Sequence, residues 1–320
     1  MDLTPIGTTG LKVTPLCFGS SGLGNMPDTY GYEVDDTRAR ETLDAIFDGP
    51  VNFLDTSNNY GFGRSESRIG DALRARGGLP PEFVLSTKAD REMESGRLDA
   101  ARVRQSVEES LTRLGLDTIP LLHLHDPEHA RDLQEITRDG GALDELFKLK
   151  EEGVAKAVGL AMGRLDIMEP LLRGHPFDSL ISHNRWTVVN CSADKMFDEA
   201  RSRGIAILNA APYAGGVLAK GSASMPRVTY QPATEETLAP IREVELICQR
   251  HGVAPGALAL QFSMRDPRVT STIVGVSKPE RVAQSLDWAN AEIPNAVWDD
   301  LTKLTPSSDD PEASRDYKPG

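Results

Sequence analysis

Short apolar runs alternate with amphipathic stretches along most of this 320-residue chain, and that alternation limits its fold more than any other feature. The runs 16–19, 51–54, 83–87, 119–125, 154–160, 178–183, 205–210 and 271–276 are too short for helices and rich in Val, Ile, Leu and Phe, so they predict strands. Between them, apolar residues recur at helical spacing. Val103, Val107, Leu111 and Leu114 share one face of a stretch over 99–114, which ends at Gly115. Further helices are expected at 39–47, 64–75, 141–152, 164–173, 192–203, 237–251, 256–265, 279–290 and near 295–304. Strands that alternate with helices require parallel crossovers. Eight such units without a break in composition predict one closed (β/α)8 barrel of the TIM type over residues 1–306. A β-hairpin at 2–14 precedes it, extra C-terminal helices extend it, and a Ser/Asp/Pro/Lys-rich tail at 307–320 is expected to be mobile or to drape over it. Residues 211–235 read as a long irregular segment, as do the loops 24–34, 90–97 and 126–138.

The charge balance narrows the partners. A net charge of −13 argues against nucleic acid or an anionic membrane surface. No apolar run reaches the length of a membrane span, and Met1-Asp-Leu-Thr carries no secretory pattern. Cys17, Cys191 and Cys248 lie far apart without metal-ligand spacing, which predicts reduced thiols and a cytoplasmic protein. A small-molecule substrate and a monomer or small homo-oligomer fit these features.

The chemistry sits where strands end. Phe53-Leu54 runs into Asp55, and the polar loop after it carries Tyr60 before Gly61. The next strand ends on Lys88 and the one after it on His125. In a barrel of this type, the C-terminal strand ends and their loops form the active face, so the four would converge at one rim. A free phenol, with a pKa of about 10, moves protons poorly near neutrality unless its surroundings help. Lys88 would supply a cation, Asp55 would hold the lysine charged, and His125 would orient a substrate oxygen. That set suits proton transfer on or off a carbonyl or alcohol oxygen. Neither a nucleophile elbow nor a phosphate-binding loop of the P-loop kind is present.

His123 lies two residues before His125, on the same strand face, roughly 6–7 Å away. It reads as a hydrogen-bonded residue of the barrel interior, with a His123/His125 metal pair, completed by His183, as the alternative. A second region, Ser271-Thr-Ile-Val-Gly-Val-Ser-Lys-Pro-Glu-Arg281, brings a strand into a helix start with Pro279 at its first position. Free backbone N–H groups there, with Lys278 and Arg281, make either an anion site suited to dinucleotide phosphates or an ordinary turn with surface charges. No Gly-x-Gly-x-x-Gly follows a strand, so a Rossmann domain is not expected.

With Asp55-Thr-Ser-Asn-Asn-Tyr60-Gly, Ser86-Thr-Lys88 and Leu124-His125-Asp-Pro in view, the chain resembles the aldo-keto reductase family over nearly its whole length. Leu16-Cys-Phe-Gly19 and Val274-Gly-Val-Ser-Lys-Pro-Glu-Arg281 fall where that family places them. The resemblance implies NADP or NAD bound extended across the rim, no metal, and a tetrad of Asp55, Tyr60, Lys88 and His125, with Tyr60 exchanging the proton. It implies cofactor contacts from Gly19, Ser20 and Asp55 on the first strand ends, and from His183 and Asn184 after the sixth strand. Pro212, Tyr213, Gly215 and Gly216 would contribute after the seventh. Val274, Gly275, Ser277, Lys278, Arg281, Gln284 and Ser285 would do so around the last strand, with Arg281 matching an arginine that holds a 2′-phosphate.

The sequence also departs from the family pattern. Ala161-Met162-Gly163 stands where a Ser-Asn pair is usual, and His183 replaces a glutamine. The usual ring-stacking tyrosine falls near Ala210, where Tyr213 is the nearest substitute. These departures are similar to the branch of aldose and pyridoxal dehydrogenases. The expected activity is oxidation of an aldose at C1 to a lactone, with pyridoxal dehydrogenase or general aldehyde reductase as alternatives. Other classes left open are a Schiff-base aldolase using Lys88, a metal hydrolase using His123 and His125, and a nucleotide-binding module without turnover.

Overall fold

The computed structural model describes residues 1–313. Eight parallel strands close on themselves: β1 (Leu16–Gly19), β2 (Phe53–Asp55), β3 (Val84–Ala89), β4 (Ile119–His125), β5 (Ala155–Met162), β6 (Ser179–His183), β7 (Ala206–Ala210) and β8 (Val269–Gly275). Strand β8 pairs with both β7 and β1, which completes the barrel.

Helices start and stop as local chemistry dictates. Asp35 and Asp99 accept hydrogen bonds from Arg38 N and Arg102 N, capping the helices Asp36–Phe47 and Ala100–Leu114. Gly77, Gly115 and Gly252 end three helices in the left-handed conformation. Strand alternation sends Cys17, Phe53, Leu121, Ala157, Ile181, Leu208 and Ile273 into the barrel interior, where they pack with Ile6, Leu11 and Val13 of the N-terminal ribbon. That ribbon pairs Thr4–Pro5 with Lys12–Val13 and plugs the end of the barrel opposite the C-terminal strand ends. Outward residues such as Leu122, Val158 and Leu180 pack under the helical ring.

Several stretches expected to be irregular hold short elements instead. Residues 24–34 contain the helix Pro27–Tyr30, and 126–138 contain Pro127–His129 and Gln134–Thr137. Within 211–235 lie the turns Ala214–Gly216 and Val217–Lys220 and a ribbon pairing Arg227–Val228 with Gln231–Pro232. None is long enough for a periodic signal to register in the sequence. The last helix spans Asn295–Leu301, shorter than expected. Beyond it, residues 307–313 run back over the rim: Ser307 bonds to Val189 and Cys191, while Asp310 and Glu312 reach Arg185. The remainder of the expected tail, 314–320, lies outside the described residues.

Candidate active site

Register decides which strand-end groups can meet. Asp55 on β2 pairs with Ser86 on β3, one pleat below Lys88, and Lys88 pairs with His123 on β4, one pleat below His125. Asp55, Lys88 and His125 therefore climb the rim as neighbours on the inward face.

The Tyr60 loop is held by close backbone packing. Gly61 takes φ +62°, and a side chain there would run into the carbonyl of Gly24. The phenol consequently projects over the barrel mouth. Lys88 Nζ donates to Asp55 Oδ2 at 2.7 Å, to the Thr56 carbonyl at 2.6 Å and to Tyr60 Oη at 3.2 Å. The lysine and aspartate side chains are 2 % and 5 % exposed, so the ion pair is dry. Such a pair must be fully bonded to offset its desolvation, and Lys88 uses three donors against three acceptors. Burial, then the Asp55 carboxylate, raises the Tyr60 pKa well above 10, which keeps the group a phenol. The lysine does not reverse that direction.

His125 stands edge-on to Tyr60, ring centres 5.9 Å apart. Its Nδ1 meets Asp90 Oδ1 at 2.6 Å and Ser57 Oγ at 3.1 Å. Burial would lower the imidazole pKa, but the carboxylates of Asp126 and Asp90 outweigh it and the net direction is up. Asp90 is itself held below the usual carboxylate range: burial opposes this, and the charge and hydrogen bond of His125 prevail. His123 is fully buried between Ser86 Oγ (3.1 Å) and Ser179 Oγ (3.0 Å), and burial pushes its pKa well down. Both its nitrogens are thus engaged by hydroxyls as the interior reading requires. Among the described residues, no group of three or more His, Cys, Asp or Glu is placed to hold a metal ion.

A cleft of about 520 Å³ opens over these groups. Of the residues expected to touch a cofactor, Gly19, Asp55, His183, Tyr213, Gly215, Gly216, Gly275, Ser277, Lys278, Arg281, Gln284 and Ser285 line it. Ser20, Asn184, Pro212 and Val274 do not. Ser20 Oγ is turned to the Asp55 carbonyl, and Asn184 donates to Glu312. Pro212 is buried, and Val274 faces the helical layer with Leu16 and Leu54. Tyr213 packs edge-on against Trp288, ring centres 5.8 Å apart.

The far end of the cleft is cationic, with Lys220, Lys278 and Arg281 in one side pocket of about 500 Å³ beside Gln284. It sits at the start of the helix Pro279–Asn290, where a dinucleotide's phosphates would find both backbone and side-chain donors. Gly275 leaves open space above the strand end. The residues present fit a dinucleotide: Lys278 and Arg281 would hold its phosphates, and the cleft running to Tyr60 would take the rest.

Several cleft residues carry no signal in the sequence. Tyr30, Tyr32, Arg38, Asp126, Arg227 and Trp288 line the cleft from loops or helix faces. Asp90 follows β3 by one residue and finds His125 only through strand register. Glu312 comes from the tail to His183 Nε2 at 3.1 Å. Burial lowers the His183 pKa, and Glu312 overcomes it to give a net rise. Glu128, whose Oε1 accepts from Gly163 N at 2.7 Å, is pushed up to about 7 by burial and by Asp126.

Comparison with known proteins agrees with this geometry. The profile of the Aldo/keto reductase family matches residues 15–306. The chain is 30 % identical to the L-galactose dehydrogenase of Arabidopsis thaliana, covering 89 % of this chain and 87 % of that one. It is 30 % identical to a D-threo-aldose 1-dehydrogenase of Pseudomonas sp (92 % and 94 % covered). It is 29 % identical to the pyridoxal 4-dehydrogenase of Microbacterium luteolum (92 % and 95 % covered).

Proposed function

The chain belongs to the aldo/keto reductase family and is an oxidoreductase; from that premise we propose that it oxidises an aldose at C1 to the lactone, with NADP or NAD as hydride acceptor. The observation that carries this reading is the contact of one buried amine, Lys88 Nζ, with both Asp55 and the Tyr60 hydroxyl at the floor of a cleft of about 520 Å³. The aldose preference is supported by two sugar dehydrogenases among the relatives.

The nicotinamide dinucleotide, when bound, supplies the two-electron hydride chemistry; the chain's side chains manage the proton and the oxygen. The C1 oxygen sits between Tyr60 Oη and His125 Nε2. In reduction, the phenol gives its proton to the carbonyl oxygen as hydride reaches C1, and a phenolate is left. Oxidation runs the other way: Tyr60 first releases its own proton to solvent, and the phenolate then takes the hydroxyl proton as hydride leaves C1 and the C–O bond becomes a carbonyl. Lys88 compensates the charge that gathers on the phenolic oxygen, and Asp55 fixes the lysine for that purpose. The water-excluded floor strengthens each of these contacts.

A Schiff-base reaction at Lys88 is disfavoured by the same geometry. The amine is buried, ion-paired and spends all three donors on protein oxygens, whereas a carbonyl nucleophile needs a free lone pair. The test is a near-ultraviolet screen for reduced nicotinamide with NAD and NADP against aldoses, pyridoxal and simple aldehydes. Turnover of aldoses above the rest supports the reading. Preference for pyridoxal, the activity borne by one relative's name, redirects the substrate within the same chemistry, and no turnover with any pair overturns the proposal.

A further inference from the structure

Asp126 follows His125 directly and takes left-handed backbone angles, φ 43° and ψ 50°. Its N–H is tied to the Ala161 carbonyl at 2.8 Å and its own carbonyl accepts from His129 N at 3.0 Å. This fixed turn aims the carboxylate into the cleft, which it lines with only 11 % of the side chain exposed. Oδ2 lies 3.7 Å from His125 Nε2, the nitrogen left facing the cleft once Nδ1 is engaged by Asp90.

The other carboxylates of this rim are engaged by protein donors or lie outside the cleft lining. Asp90 takes His125, Ser57 and the Asn59 amide. Glu128 takes the amides of Gly163 and Arg164 on Oε1, and its Oε2 is buried away from the cleft lining, while Glu312 takes Asn184. Among the described residues, the Asp126 side chain accepts no hydrogen bond and pairs with no lysine or arginine. Ala161, Met162 and Ile181 beside it offer the cleft only apolar side chains. The Asp126 oxygens face the cleft with lone pairs that no protein donor uses, so they are free to accept from a bound ligand.

We propose that Asp126 accepts a hydrogen bond from a hydroxyl on the carbon next to the reacting one, and so selects 2-hydroxy carbonyl compounds and aldoses over matched substrates lacking that hydroxyl. The inference rests on the oxidoreductase reading and on the placement of the reacting oxygen at Tyr60 and His125. With that oxygen on His125 Nε2, the neighbouring carbon's hydroxyl falls beside it, at Asp126. The donor on His125 and the acceptor on Asp126 stand side by side as the two oxygens of a vicinal pair do. The same carboxylate repels an anionic group at that position, so 2-oxo acids are poor substrates.

The experiment compares kcat/KM for an aldose and its 2-deoxy counterpart in the oxidising direction, and for 2-hydroxypropanal and propanal in the reducing direction. A charge-assisted hydrogen bond predicts that the wild-type protein favours the hydroxylated member by about 10- to 100-fold. In Asp126→Gly, which keeps the left-handed turn without strain, the ratio falls toward one. In Asp126→Asn, which also tolerates that backbone, it falls part of the way. Using the ratio removes any effect of the substitution on His125, which is common to both substrates. A wild-type ratio near one, or an equal loss of both substrates in Asp126→Gly, overturns the role of Asp126 and leaves the dehydrogenase reading standing. Failure of the wild-type protein to turn over either member of both pairs overturns that reading, and this proposal with it.

Discussion

Nδ1 of His125 and Oδ1 of Asp90 lie 2.6 Å apart in a buried contact, and the carboxylate, held ionised, can only accept. The imidazole proton is therefore on Nδ1. Nε2, which faces the cleft, can donate to a substrate carbonyl only while the ring is cationic, and accepts from a substrate hydroxyl once the ring is neutral. Because the His125 pKa is raised above 6.5, the cationic form persists past that pH and is lost as pH rises through the raised value. Carbonyl reduction should fall, and alcohol oxidation rise, across that window.

Asp90→Asn removes one of the two charges that raise His125. The pH at which kcat/KM for reduction declines should move down by about one unit or more. Profiles of the wild-type and variant proteins over the same buffers check this. An unmoved midpoint would detach Asp90 from the proton balance of the site.

Gly61→Ala should damage catalysis through position alone. The site needs φ +62° against the Gly24 carbonyl, and an added methyl group has nowhere to go. A stability loss of about 1–3 kcal/mol is expected from the strained backbone, read as a lower Tm. Turnover should drop further than the lost stability explains, because Tyr60 is the next residue and moves with the loop.

At the other end of the cleft, Arg281→Ala should raise KM for the dinucleotide about tenfold or more, as loss of a charge-assisted contact to phosphate does. The effect should be larger for NADP than for NAD, since the extra phosphate adds charge, and it should shrink at high ionic strength. Titration of both cofactors into wild-type and variant protein reads all three expectations.

Much of the barrel was legible because its signal is local. Phe53-Leu54 before Asp55, or Val103 to Leu114 on one helix face, needs no distant partner to be recognised. Strand-end position then brought Asp55, Lys88 and His125 into view, and Tyr60 through its loop. Other features depend on where separate segments meet. Asp90 is an unremarked acid after β3 until the register of β3 and β4 sets it beside His125. Glu312 reaches His183 from 129 positions away, out of a tail whose composition signals only polarity. The Ser20 and Val274 side chains turn away from the cleft for a related reason: adjacency to a lining glycine does not fix which way a strand-end side chain turns.

The central claim is that Tyr60 exchanges the proton while hydride leaves or enters the neighbouring carbon. Tyr60→Phe removes one oxygen atom from a ring whose packing against His125 and Lys88 is otherwise kept. Steady-state formation of reduced nicotinamide from an aldose, measured beside dinucleotide binding in the same preparation, tests it. The account predicts a fall in kcat of about 100-fold or more with binding unchanged. Turnover within a few-fold of the wild-type protein would contradict it.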